Sequence, residues 1–204
     1  SFAELGAAFR PNALSFPARE KYISVDDGPR KKARAKYLAQ DRNNLLVGIS
    51  WRSINPDIGT LKSMPLSAWL PILKVPGVTF VNLQYGDSSA EIEAMQRDHG
   101  VHILTDRDID TLGDMDAVLA QIAAMDQVIS ISNTTVHLAG AAGVPAWVLL
   151  PQGQARLWYW FRSIDRCLWY PCVKLMASKK EDDWSGLVAE AAVMLTRAAE
   201  THRG

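Results

Sequence analysis

Residues 127–150 read QVISISNTTVHLAGAAGVPAWVLL, and this stretch decides the fold. Gln127 to Ile131 is an apolar run of β type, and the small polar residues Ser132 to Thr135 follow it. From Thr134 to Ala142 the pattern is helical, and Gly143 with Pro145 stops it. Ala146 to Leu150 is a second apolar run. A strand, a short turn, a helix and a strand in this space call for a parallel crossover. Neither strand carries a charge, and both read as strands of the buried centre of the sheet. The stretch holds no Asp, Glu, Lys or Arg, yet Ser, Asn, Thr and Gly recur along it. It is therefore the buried centre of an α/β sheet and not a membrane span.

Working outward, the same alternation continues. Leu45 to Trp51 (LLVGISW) and Val78 to Gln84 (VTFVNLQ) are strands. Between them a polar loop, Arg52 to Lys62, leads to Pro65 and a short helix around Ser67 to Leu73. Ser67 can cap that helix, and Pro71 must sit in its first turn or bend it. Ser88 to Asp98 is a helix with Ser89 near its cap, and Val101 to Leu104 a short strand. Asp114 to Met125 is a helix with Met115, Val118, Leu119 and Ile122 on one face. After Pro151 come an aromatic segment, Trp158 to Tyr170, a strand at Val173 to Met176 and a closing amphipathic helix from about Asp183 to Thr201. The fold class is α/β: a Rossmann-like parallel sheet with helices on both faces.

Residues 1–43 differ in kind, with Pro11 and Pro17, then mixed charge through Arg30, Lys31, Lys32, Arg34 and Lys36. They read as a linker, a helical appendage or a remnant of an N-terminal domain, and residues 44–204 as the Rossmann-like domain.

Composition narrows the function. The 204 residues carry 22 Lys+Arg and 22 Asp+Glu, so the formal net charge is zero. That balance removes the broad basic field that attracts nucleic acid or an anionic membrane, and leaves a local anion pocket open. With 48% hydrophobic and 22% charged residues the chain can bury a sizeable core. Cys167 and Cys172 form neither a zinc spacing nor a disulfide framework, and read as reduced thiols of a cytoplasmic protein. Ser1 to Arg10 shows no secretory pattern. His99, His102, His137 and His202 have no ligand spacing with cysteines or carboxylates, so no metal is expected. Gly48 stands alone where a dinucleotide fold carries G-x-G-x-x-G, which disfavours hydride chemistry.

The chemistry concentrates at Ser132-Asn133-Thr134-Thr135-Val136-His137. A helix starting at the carboxyl edge of a central strand aims its free N–H groups and positive dipole end at the ligand crevice of an open sheet, which suits a phosphate. The same four small residues also serve as simple helix caps. His137 reads equally as a packed, hydrogen-bonded side chain. Asn133-Thr134-Thr135 matches a glycosylation triplet, but in a buried turn of a chain without a signal the match carries no weight.

The run ISNTTVHLAGAAGVPAWVLLP, together with VGISWRS, LQYGD, WYW, LWYPCVKL and DDW in that order, resembles the C-terminal domain of bacterial tetratricopeptide-repeat glycosyltransferases. These are similar to the heptosyltransferases of glycosyltransferase family nine and share the two-domain GT-B architecture with O-GlcNAc transferase. The resemblance covers roughly Leu46 to Trp184. It implies a domain that binds a nucleotide-diphosphate sugar as substrate, with no cofactor or metal.

The family's Asp-Thr-x-x-x-His turn corresponds to Ser132, Asn133, Thr134, Thr135, Val136 and His137, with Ser132 in place of the Asp. Lys62-Ser63-Met64-Pro65 is similar to the family's Lys-x-Trp-Pro, whose lysine approaches the donor phosphates, so Lys62 is the implied catalytic residue. A lysine and helix N–H groups can neutralise a leaving diphosphate without a metal; otherwise Lys62 is an exposed loop lysine. Trp51 and Arg52 end the first strand and Gln84 and Tyr85 the second, so all four are expected to face the crevice as donor-pocket lining, with core packing the alternative for Trp51. Trp158, Trp160, Trp169 and Tyr170 either form a sugar-facing wall or lock the C-terminal segment onto the sheet. The resemblance further implies that the acceptor site and the catalytic base belong to an N-terminal domain. The rival expectation is a non-catalytic scaffold or partner-binding module that retains the fold. Convergence of Lys62 and the Thr134 turn on one open pocket separates the two.

Overall fold

The computed structural model describes residues 2–162, 166–180 and 183–203. Ser163, Ile164 and Asp165 of the aromatic segment and Asp182 of the DDW motif lie outside the described residues. Six strands, β1 (Leu45–Ser50), β2 (Val78–Asn82), β3 (Ile103–Leu104), β4 (Gln127–Ile131), β5 (Ala146–Leu150) and β6 (Val173–Ala177), form one sheet in the order β3-β2-β1-β4-β5-β6. Every neighbouring pair is parallel. This is the Rossmann-like α/β arrangement read from the sequence. The strand order reverses between β1 and β4, and that reversal opens a crevice at their carboxyl ends.

The helices are α1 (Phe2–Phe9), α2 (Asp27–Tyr37), α3 (Leu70–Leu73), α4 (Ser89–His99), α5 (Met115–Ala123), α6 (Thr134–Ala142) and α7 (Ser185–Arg203). Strand alternation sends side chains into two separate cores. Leu45, Val47, Ile49, Phe80, Ile129, Ile131 and Leu149 meet α3, α4 and α7 on one face. Leu46, Val81, Val128, Ala146, Val148 and Leu150 meet α5, α6 and the aromatic segment on the other. Gly48 lies on this second face, where a Cβ would come within 2.2 Å of Leu83. Its smallness makes room for Leu83 and Met125.

Residues 1–43, expected as a linker, appendage or remnant, supply α2 to the second layer. The Arg34 guanidinium pairs with Asp126 at 2.9 Å and donates to the Ala124 carbonyl, while Asp126 accepts from the Leu46 amide. Tyr37 is buried. Upstream, the amides of Tyr22 and Ile23 both donate to the Ala141 carbonyl at the end of α6.

The central unit begins and ends where the sequence places it. Elsewhere the elements shift slightly. β1 and β2 stop one and two residues short of Trp51 and Gln84, because those residues turn into the loops of the crevice. Ser67 caps nothing: it lies inside a 3-10 turn, Leu66–Trp69, and Pro71 falls in the first turn of α3 that follows. Ser88, not Ser89, precedes α4. Among the described residues, no helix is long and apolar enough to cross a membrane.

Candidate nucleotide-diphosphate site

The turn from β4 into α6 is fixed by Asn133. Its Oδ1 accepts from the Thr135 amide at 3.0 Å and from Ser130 Oγ, satisfying one of the free amides of the first helical turn. Its Nδ2 donates to Ser50 Oγ at 2.7 Å and to the Arg52 carbonyl, tying β4 to β1 across the strand reversal. Thr135 is buried and donates to the Leu83 carbonyl, whereas Thr134 is exposed. Asn133 and Thr135 thus aim α6, and the helix N-terminus presents its remaining amides to the crevice.

Lys62 reaches the same place from a loop that folds on itself. Asn55 Oδ1 accepts from the amides of Asp57 and Ile58, and Ser63 Oγ accepts from the Ser53 amide while donating to the Gly59 carbonyl. Gly59 is required, since a Cβ there would lie 2.3 Å from the Asn55 carbonyl oxygen. The Met64 amide returns to the Trp51 carbonyl. A 3-10 turn, Thr60–Lys62, then delivers a lysine that is only 6% exposed. Burial holds its ammonium pKa below the usual lysine value. Its Nζ has no acceptor among the described residues, and Lys62 lines the cavity described next.

One cavity of about 470 Å³ joins these groups, within the size range of small-ligand sites. Lys62, Tyr85, Ser132, Asn133, Thr134, Thr135 and His137 all line it. Trp51, Arg52 and Gln84 do not. Trp51 is fully buried in the first core, where it continues the alternation Leu45, Val47, Ile49, and its indole donates to Glu91. Arg52 pairs with Glu91 at 2.9 Å and donates to the Asp87 carbonyl. Gln84 is a clamp: its Oε1 accepts from Ser50 Oγ and from the amides of Trp51 and Arg52. These three build the floor of the crevice and leave its lining to others.

The aromatic segment supports the site from behind. Trp160, fully buried, donates its indole N–H to Ser132 Oγ at 2.7 Å and stacks on His137, with ring centroids 5.0 Å apart and planes 14° apart. Tyr159 and Tyr170 meet the His137 ring edge-on. Burial first, and the nearby Lys62 ammonium second, lower the His137 pKa to about 4. A neutral imidazole therefore faces the cavity at neutral pH. Trp160 and Tyr170 lock the segment to α6; Tyr159 lines the cavity, while Trp158 is exposed.

Residues that the sequence did not single out for the site complete the cavity: Ile54, Leu83, Met115, Val118, Gln121 and Leu138 among them. The one available signal was Gln121, a polar residue between apolar neighbours in the α5 stripe.

No protein-family model matches the sequence. The chain is 34% identical over 191 residues to Protein FlbA of Caulobacter vibrioides, a match that covers 92% of this chain and 31% of that protein. The fold is similar to the crystal structure of a family 9 glycosyl transferase from Veillonella parvula, with a TM-score of 0.54 and 15% identity. That match covers 89% of this chain and 53% of the other. The chain thus spans about a third of the length of the first relative and about half of the second. At that identity the likeness establishes the fold alone: a parallel α/β sheet similar to that of the family 9 structure.

Proposed function

We propose that this chain is the donor-binding domain of a glycosyltransferase, holding a nucleoside-diphosphate sugar by its diphosphate between Lys62 and the N-terminus of α6. The observation that carries this reading is Lys62, a residue only 6% exposed whose ammonium has no carboxylate partner among the described residues and opens into the cavity that also receives the helix end. A partly desolvated cation with no counterion of its own is stabilised by an anion that enters the same cavity. In sugar transfer the glycosidic bond to the diphosphate breaks and negative charge grows on the leaving oxygen. The ammonium and the amides of α6 stand ready for that charge and need no metal. His137, neutral, adds a hydrogen-bond donor and no charge. The acceptor site and a catalytic base would come from an N-terminal domain, or from tetratricopeptide repeats in a longer protein.

A non-catalytic module is the second reading. It is favoured by Ser132, whose hydroxyl stands where the family has a carboxylate and is fully buried against Trp160.

Thermal shift with pyrophosphate, UDP, GDP, ADP and CDP tests the proposal, repeated on Lys62→Ala. A ligand at about 100 times its Kd adds roughly 2.7 kcal/mol, or on the order of 5 to 10 °C for a domain of this size. A shift in the wild type and none in the variant supports the donor site. No shift with any of them removes it.

A further inference from the structure

At the α5 side of the cavity stands a polar group that the diphosphate reading does not use. Gln121 is 2% exposed and lines the cavity among Leu83, Val118 and Leu138. Its Nε2 donates to the Tyr37 hydroxyl at 3.1 Å. That hydroxyl in turn donates to Asp106 Oδ2 at 2.7 Å, and Asp106 Oδ1 accepts from Lys36 at 2.7 Å. The relay runs in one direction only. Burial raises the Asp106 pKa, but hydrogen bonds from Lys36 and Tyr37 more than offset this and the net shift is downward. The ionised carboxylate can accept and not donate, so the Tyr37 proton is committed to it. Tyr37 then offers Gln121 a lone pair, which only the NH₂ end of the amide can meet. The amide orientation is thereby fixed, and Oε1 bonds to nothing among the described residues. Because Gln121 lines the cavity, that free carbonyl oxygen is an acceptor open to a ligand donor.

Resting on the donor-site reading, we infer that Gln121 is the base-recognition residue of this cavity, its Oε1 accepting an N–H from the heterocycle of the bound nucleotide. The surroundings favour a base over a sugar. Leu83, Val118, Leu138 and Met115 give apolar walls that suit a flat ring and leave the hydroxyls of a hexose unpaired. The uracil imide, the amino groups of adenine and cytosine, and the guanine edge each present an N–H of the required kind. The relay also gives residues 1–43 a part in the site, because Tyr37 belongs to α2 and touches the ligand only through Gln121.

Calorimetric titration of pyrophosphate, UDP, GDP, ADP and CDP into the wild type, Gln121→Leu and Tyr37→Phe tests this. Gln121→Leu is expected to weaken the preferred nucleotide by roughly tenfold or more while leaving pyrophosphate affinity unchanged. Tyr37→Phe, which lies outside the cavity and frees the amide to turn, is expected to weaken the nucleotide to a smaller degree and again spare pyrophosphate. It serves alone if Gln121→Leu does not fold. Unchanged nucleotide affinity in the variants overturns the inference, as does an equal loss for pyrophosphate and nucleotide. Pyrophosphate binding without any nucleotide preference in the wild type overturns it while sparing the anion site. No binding of either probe overturns both.

Discussion

Trp160 and Ser132, 28 residues apart in sequence, are joined by a 2.7 Å hydrogen bond from indole Nε1 to Oγ, and both side chains are fully buried. The bond links the aromatic segment to the turn that opens α6, and through the stacked ring of Trp160 it sets the plane of His137. Ser132 is thus an anchor for the wall of the site.

Ser132→Ala is expected to leave the buried Trp160 indole N–H without its acceptor. The cost is about 1–3 kcal/mol. For a domain of this size that is a fall of roughly 3 to 9 °C in Tm, read by a thermal melt. An unchanged Tm would mean that the bond contributes nothing.

His137 makes stability depend on pH in a defined window. Its folded pKa lies near 4, against about 6.5 for a free histidine. Because the folded value is depressed, the unfolded chain takes up this proton first as the pH falls. The His137 contribution is complete above about pH 6.5 and drains away as the pH drops through 4, on the order of 3 kcal/mol in all. His137→Gln is expected to flatten the curve of Tm against pH across that window. A variant as steep as the wild type would place the acid sensitivity elsewhere.

Gly140 faces the ring of Tyr170, and a Cβ there would sit 2.4 Å from its Cγ. Gly140→Ala should therefore displace the aromatic segment, at about 1–3 kcal/mol for overpacking. Near-ultraviolet circular dichroism reports the altered ring contacts and a melt reports the cost. Wild-type values in both would show that the segment yields freely.

Lys62→Met tests whether the buried ammonium serves stability or binding. Exchange of an unpartnered, desolvated cation for an apolar side chain of similar length should leave the Tm equal or higher. A large drop in Tm would show that Lys62 holds the loop together and would weaken its assignment to a ligand.

The central βαβ unit was legible in the sequence because each boundary has local chemistry. Asn133 caps α6, Gly143 ends it with a φ of 76°, and the apolar runs on either side admit one register. The placement of Trp51 was legible in principle, since Leu45, Val47 and Ile49 share its face, but its position at the strand end drew it toward the crevice. Lys62 could be nominated from its motif, though not its burial, which depends on the bonds of Ser63 and the backbone of Gly59. Gln121 stood out only as a polar residue in the apolar stripe of α5, and its tie to Tyr37 was beyond reach. Their bond joins residues 84 apart, and no local pattern marks a glutamine whose amide is oriented by a distant tyrosine.

The most direct measurement is isothermal titration of the preferred nucleoside diphosphate into the wild type and Lys62→Met under one buffer. The account predicts saturable binding at one site in the wild type. It predicts a loss of roughly tenfold or more in the variant, as expected when a buried charged partner of an anion is removed. Equal affinity in the two proteins, with the variant shown to be folded, would contradict the claim that Lys62 and the end of α6 form a diphosphate site.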